Sequence, residues 1–368
     1  MHLHSLLIRH FRLISDTVLT LQPGIQLFLG LNAQGKTSLI EAIHFLSTST
    51  SHRTNREEDL IQWSESVAFL RGIVQDRDEQ YTIECGLEKK RKVIKIDSVP
   101  LPRVGDLYGK LRTVLFAPED LNIVVGSPHD RRRFLDMAIA QLDPGYIPIL
   151  QQFRRALHQR NHVLKRVFQR RESEVARELA VWDIPYLQNA VHVISLRIKH
   201  VKELAPLVDQ YYAGLADEGP LQLSYSGGES PDEQEIHSRL KEKLERSRKV
   251  ELERGSTQVG PHRDDLLLHL QGRNLSQFGS QGQRRGAALA LRLAEARHCH
   301  QVVGQRPVLL IDDVVYEMDN PRRARFWQQI DPEGQLIVTA TDREHLGQGL
   351  EPVRIFQVEH GTIHPSGT

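Results

Sequence analysis

The string GLNAQGKT, Gly30 to Thr37, constrains this chain more than any other feature. It fits GxxxxGK(S/T). Before it, the apolar run Ile25 to Leu29 reads as a buried strand; after it, Leu39, Ile40, Ala42, Ile43, Phe45 and Leu46 read as one short helix with no breaker. Such a loop wraps phosphates with backbone N–H groups, which is why it needs glycines, and the helix behind it offers partial positive charge to the anion. Gly30, Leu31, Asn32, Ala33, Gln34, Gly35, Lys36 and Thr37 are therefore the expected nucleotide cradle. Lys36 is expected to reach the β- and γ-phosphates and the Thr37 hydroxyl to ligate Mg²⁺. A glycine turn ahead of an ordinary helix is the alternative, but a chance match is roughly one in a hundred before the flanking strand and helix are required.

A chain of 368 residues exceeds the size at which one core stops growing, so two compact units, or one domain carrying a large insertion, are expected. The formal net charge is only +1, from 48 basic and 47 acidic residues, so any nucleic-acid surface has to be local. Cys85 and Cys299 lie far apart and outside any CxxC or Cys/His cluster, which argues against a disulfide framework and a structural zinc site and fits a reducing cytoplasm. The opening MHLHSLLIRHFRLISD has too short an apolar run for a signal peptide, and no later stretch could span a bilayer, so no membrane segment is expected.

From Ala68 to Phe116 β-like runs follow one another, with Tyr81, Ile83, Cys85 and Leu87 alternating against polar neighbours, as in a half-buried antiparallel sheet. Between about Arg131 and Arg254 strand signals fade and helical texture dominates; Phe153, Leu157, Leu164 and Phe168 keep a stripe among arginines and lysines. A charged helix ending at Gly255 closes this segment. After Gly260 come a helix from about Gln283 to Val303 and strands at Val308–Ile311, Leu336–Ala340 and near Val353–Val358. The organisation expected is α/β: residues 1–120 and 256–368 as two parts of one mixed-sheet head, and 121–255 as a largely helical inserted lobe.

Two further sites stand out. The strand VLLI ends in Asp312 and Asp313. A carboxylate at that position beside a phosphate loop can hold Mg²⁺, for which Asp312 is the candidate, while Asp313 can orient or deprotonate an attacking water. Taken alone, an acidic strand end is commonplace. In FGSQGQRRGAALALRLAEA, Ser280, Gly282 and Gln283 form a second small-residue loop ahead of a helix, open alike to a second phosphate clamp and to a plain glycine turn.

Ser280 to Gln283 resemble the signature loop of ABC-type ATPases, and the order phosphate loop, signature, acidic strand end matches that superfamily. The strings APEDLNIVVGSPHDRRRFLD, TQVGPHRDDL and FGSQGQRR, with LIRHFRLI near the start and LSTSTSHRT after the first helix, are similar to the RecF family over essentially the whole chain. Two departures are visible. RecF proteins commonly show a serine and a leucine in the segment where this chain has Val314, Val315, Tyr316, Glu317, Met318 and Asp319. Thr341 and Asp342 follow the strand after which ABC transporters usually carry a histidine.

The resemblance implies an ABC-type head that dimerises head to tail around Mg-ATP. Lys36, Thr37 and Asp312 of one chain and Ser280 of the other would grip the nucleotide. Lys36, Asp312, Asp313 and Ser280 would then serve a weak, regulatory ATPase. It also implies ATP-dependent binding to gapped DNA, single- and double-stranded, in recombinational gap repair and replication-fork maintenance. RecR and possibly RecO would be partners, and the RecA recombinase would be loaded. Arg131, Arg132, Arg154 and Arg155, from the basic runs Arg131–Arg133 and Arg154–Arg171, are expected phosphate contacts, with Arg53 as a further one; a solvated helix face or, for Arg53, a salt bridge accounts for them as well. His262, Arg263, Asp264 and Asp265 fit either a DNA or dimer surface or a hydrogen-bonded turn. An SMC or Rad50-like tether fits less well, since the middle segment is short and lacks an apical CxxC. A nuclease of the overcoming-lysogenization type would need an acidic metal domain for which no segment remains, and a transporter subunit would lack the arginine-rich insertion.

Overall fold

The computed structural model describes residues 1–89, 91–166, 172–216, 218–314, 318–343 and 351–366. The first strands, β1 (His2–Phe11) and β2 (Ile14–Thr20), form a hairpin whose tight turn places His10 and Arg12 at positive φ. β3 (Gly24–Leu29) then runs into the glycine loop and α1 (Lys36–Thr48). The alternating segment that follows makes β4 (Val67–Asp76), β5 (Glu79–Glu88), β6 (Arg91–Ile96) and the short β7 (Val99–Pro100), which extend the hairpin into an antiparallel sheet of order β2-β1-β4-β5-β6-β7. Leu70, Ile83, Cys85 and Leu87 face its core, as period-two alternation predicts.

One run departs from that pattern. β8 (Thr113–Phe116) is buried at all four positions and joins a second sheet, pairing in parallel with a strand nearly two hundred residues later. Continuous burial rather than alternation marks a strand covered on both faces, so the reading of Ala68–Phe116 as one antiparallel sheet is corrected there.

The middle segment is mostly helical: α2 (Leu121–Val125), α3 (Pro128–Leu142), α4 (Tyr146–Lys165) and the 44-residue α5 (Glu172–Leu215). After β9 (Leu221–Tyr225), α6 (Glu233–Arg254) is capped by Asp232 and stopped by Gly255 in the left-handed region. Phe168, Arg170 and Arg171 lie outside the described residues. Two buried arginines lock these helices together. Arg160 joins α4 to Asp183 of α5 and Glu251 of α6, at 2.8 and 2.5 Å, and Arg197 of α5 grips Asp136 of α3 at 2.8 Å. The expected helical lobe at 121–255 is not closed on itself, however. β9 pairs with β10 (Leu266–Leu270), which pairs with β11 (Arg273–Asn274), so a small sheet bridges the segment's C-terminal limit.

The chain returns through α7 (Leu275–Phe278), α8 (Gln281–Val303), β12 (Val308–Asp312), α9 (Asn320–Gln329), β13 (Gln335–Ala340), β14 (Arg354–Glu359) and β15 (Thr362–Pro365). The second sheet has the order β15-β14-β3-β13-β12-β8, parallel except for β15. Leu27 of β3 enters one core with the helices, and its neighbour Phe28 enters the other with the antiparallel sheet. The two sheets are tied by Gln335, whose amide oxygen accepts from the Leu3 N–H at 2.7 Å while its nitrogen donates to the Leu3 carbonyl at 2.8 Å.

Candidate nucleotide site

Parallel strands put their C-terminal ends on one edge, and there the fold gathers the residues singled out in the sequence. β3 ends in the glycine loop, β12 ends in Asp312, and β13 between them brings Thr339 opposite Asp312. Gly35 holds φ of 114° and serves as a cap without a side chain, so among the described residues no side-chain cap closes the first turn of α1. Gly30 is required sterically: a Cβ there would lie 2.3 Å from the Val358 carbonyl oxygen.

Lys36 is 3% exposed. Its ammonium donates to the carbonyls of Gly30 at 2.8 Å and Leu31 at 3.3 Å, and lies 3.4 Å from Asp313. The Thr37 hydroxyl donates to Asp312 Oδ1 at 3.2 Å, and the Thr339 hydroxyl reaches the same oxygen at 2.8 Å. Burial pushes the Asp312 carboxyl up to about 6; the Thr339 and Thr37 hydrogen bonds oppose this, and neighbouring Asp313 adds to it. Asp313 stands at φ 50°, and its Oδ1 is buried without a hydrogen bond among the described residues. The set fits Mg²⁺ and a triphosphate. A hydroxyl and a carboxylate meet at one point, a cation lies within reach, and bare helix N–H groups face the same loop.

Sequence reasoning missed two parts of this site. Thr339 lies in an apolar strand with no motif to mark it. The turn between β14 and β15 braces the loop: the N–H groups of His360 and Gly361 donate to the side-chain and backbone oxygens of Gln34 at 2.6 and 2.9 Å. Only a hint existed, in the isolated glycine of EHGT near the C-terminus.

Ser280 caps α8 through a capping box with Gln283. Its hydroxyl accepts from the Gln283 N–H at 3.2 Å, and its own N–H donates to the Gln283 side chain at 2.8 Å. Gly282 packs against Arg322, 2.4 Å from where a Cβ would stand. Leu215, Met318 and Arg322 surround this loop, whereas Thr341, Val358 and His360 surround the phosphate loop; among the described residues the two neighbourhoods share none. Val315, Tyr316 and Glu317 lie outside the described residues.

The basic residues expected at DNA differ in how far the protein itself engages them. Arg131 forms a paired contact with Asp265, at 2.7 and 2.8 Å, and donates to the Gly126 carbonyl at 2.9 Å. With its side chain 10% exposed, it is a tertiary lock, which corrects the expectation of a phosphate contact. Arg53 sits 3.9 Å from buried Glu41, and Arg132 donates to the Asp264 carbonyl at 2.8 Å. Arg154 and Arg155 are exposed, Arg154 with a loose contact of 3.6 Å to Asp136. In GPHRDDL the turn reading accounts for the side chains: His262 meets the Thr257 carbonyl, Asp264 accepts from the Tyr225 hydroxyl, and Asp265 holds Arg131. The conspicuous PEDL string is likewise structural, with Asp120 gripped by half-buried Arg292 at 2.6 Å.

A mixed-sheet head with a phosphate loop, a facing acidic strand end and a capped signature helix defines an ATPase head of the SMC class. The family model described as RecF/RecN/SMC N terminal domain matches residues 2–364. A DNA replication and repair protein RecF from Halothermothrix orenii is 36% identical over 370 residues, 99% of this chain and 98% of the relative. One from Listeria welshimeri is 36% identical over 376 residues, covering all of both. The solved structure of the recombination mediator protein RecF with ATP, in the RecFOR pathway, superposes with a TM-score of 0.91 at 31% identity over 100% of this chain and 98% of that one. An Smc head domain from Pyrococcus furiosus shares the fold alone, at TM-score 0.56 and 15% identity over 99% and 96% of the two chains. The chain belongs to the RecF family.

Proposed function

We propose that this protein is an ATP-dependent DNA-binding protein of recombinational gap repair and replication-fork maintenance. In this reading Lys36 and the loop N–H groups hold the phosphates, Thr37 and Asp312 ligate Mg²⁺, and Asp313 orients the attacking water. The carrying observation is the meeting of Thr37 and Asp312 at one point beside buried Lys36, built from segments 275 residues apart. Ser280 and Gly282 complete the site from a second copy. That step is supported by the separate surroundings of the two loops and by an exposed apolar residue in or beside each, Leu31 at 72% and Phe278 at 69%.

Nucleotide then acts as glue, because it contributes binding energy only to the dimer; weak, DNA-stimulated hydrolysis releases it. The dimer closes on gapped DNA in the cytoplasm and helps load the RecA recombinase, with RecR and possibly RecO as partners. Exposed Arg154 and Arg155, with Arg132 and Arg53, serve as non-specific, salt-sensitive phosphate contacts. The fit to a RecF–ATP structure over the full chain supports the nucleotide part of this reading.

The test is gel filtration with and without ATP, alongside binding to gapped DNA. Wild type should dimerise only with ATP, and Ser280→Arg should bind ATP yet stay monomeric. A wild-type monomer in ATP, with DNA binding indifferent to nucleotide, defeats the proposal.

A further inference from the structure

Between the loop that follows α1 and the α3–α4 pair lies a cleft of about 580 Å³. None of its lining belongs to the glycine loop or to the acidic strand end. Its floor is apolar: Met137 on α3 and Ile147 on α4 are half-buried, and Leu150 and Phe153 are buried. Val104, 42% exposed, lines it at the surface.

The charges around this floor are unbalanced. Of the two carboxylates lining it among the described residues, Glu57 is matched by Lys92 and Asp136 by the buried Arg197. Arg132 and Arg133 are half-buried and have only carbonyl acceptors, Asp264 at 2.8 Å and Ser51 at 2.6 Å; among the described residues neither forms an ion pair. Burial of a guanidinium without a counter-ion is unfavourable unless an anion arrives to neutralise it. Arg154, with its side chain 64% exposed, extends the same positive rim toward solvent.

A phosphate at the rim with a flat apolar ring on the floor satisfies both halves of the cleft, and the volume suits a single nucleotide. Guanidinium planes add stacking faces for a base. Duplex bases are already stacked inward and cannot enter such a recess, whereas an unpaired base can. We propose that this cleft binds one unpaired nucleotide of a DNA strand, its phosphate on Arg132, Arg133 and Arg154 and its base on Met137, Ile147 and Leu150. The inference rests on the DNA-binding reading above and deepens it, assigning the single-stranded side of a gap to a place on the head.

The test uses the full chain in ATP, with fluorescence anisotropy of labelled oligothymidylate and of a blunt duplex. Val104→Trp fills the cleft without changing charge. It should weaken oligothymidylate binding about tenfold while duplex binding changes less than about twofold. Arg132→Gln should weaken oligothymidylate binding by a similar factor. On unmutated protein, a 2-aminopurine placed in the oligonucleotide should change its emission on binding, and Val104→Trp should abolish that change. Unaltered oligothymidylate binding by Val104→Trp, equal loss on both DNAs, or an unresponsive 2-aminopurine overturns the inference and leaves the broader reading standing. A wild type that binds neither DNA in ATP overturns both.

Discussion

Lys36 is almost wholly buried, and its side-chain nitrogen is met by Asp313 at 3.4 Å together with two loop carbonyls. Replacing it by Met removes the cation proposed above to face the phosphates and takes the 3.4 Å partner from Asp313. Lys36→Met should lower ATP hydrolysis at least about a hundredfold, measured by phosphate release. Asp312→Asn keeps the shape and the Thr339 contact but removes the charge proposed to ligate Mg²⁺; hydrolysis should fall by a similar factor while nucleotide binding, read by fluorescence titration, survives better. Gln26 tells a different story. It is fully buried in β3 with neither amide atom hydrogen-bonded among the described residues, an arrangement that costs desolvation without return. Gln26→Leu should stabilise the fold by about 1–2 kcal/mol, seen as a higher thermal midpoint. The sequence places Gln26 in a strand read as buried but does not show that its amide is left without a partner, which depends on what packs over the face of β3 it points to.

At the scale of elements, the glycine loop is held from outside by the β14–β15 turn. A Cβ on Gly361 would stand 1.9 Å from the Leu13 carbonyl oxygen, and the residue holds φ of 78°, where any side chain is strained. Gly361→Ala should therefore push the turn off Gln34 and weaken ATP binding about tenfold, with far-UV circular dichroism unchanged. Unaltered affinity would mean the loop holds its own shape. Elements with strong local signals were legible: α1 after the glycine loop, α8 with its Ser280–Gln283 box, α6 between Asp232 and Gly255, and the runs that became β3, β12 and β13. β9 was not, because five residues inside a helical stretch carry too little pattern, and its partner β10 lies about forty residues away in sequence. β8 was legible as a strand but not as to its sheet, since parallel pairing leaves no local mark.

Across the whole molecule, near-neutral net charge conceals heavy internal pairing. Arg131, Arg160, Arg197 and Arg292 are spent on carboxylates inside the protein, so counting arginines overstates the basic surface. Buried histidines set the response to acid. Burial brings His52 and His262 to about 4 and His200 to about 3, well below the ordinary value near 6.5. The unfolded chain therefore takes up protons first: the contribution of these histidines is complete above pH 6.5 and is lost as pH falls from there through 4 for His52 and His262 and through 3 for His200. Each such group contributes up to about 3 kcal/mol over that window, so the thermal midpoint should drop steeply on acidification. His52→Phe, which keeps a ring against His44, should make that slope shallower. By itself the sequence determined the family and marked the residues of the proposed nucleotide site, because a phosphate loop and a helix cap are short-range devices whose residues are contiguous. Only the tertiary structure decided which arginines are free, that Thr339 and the C-terminal turn serve the site, and where the small sheet closes. Those facts depend on contacts between residues far apart in the chain, and side-chain type does not encode such contacts locally.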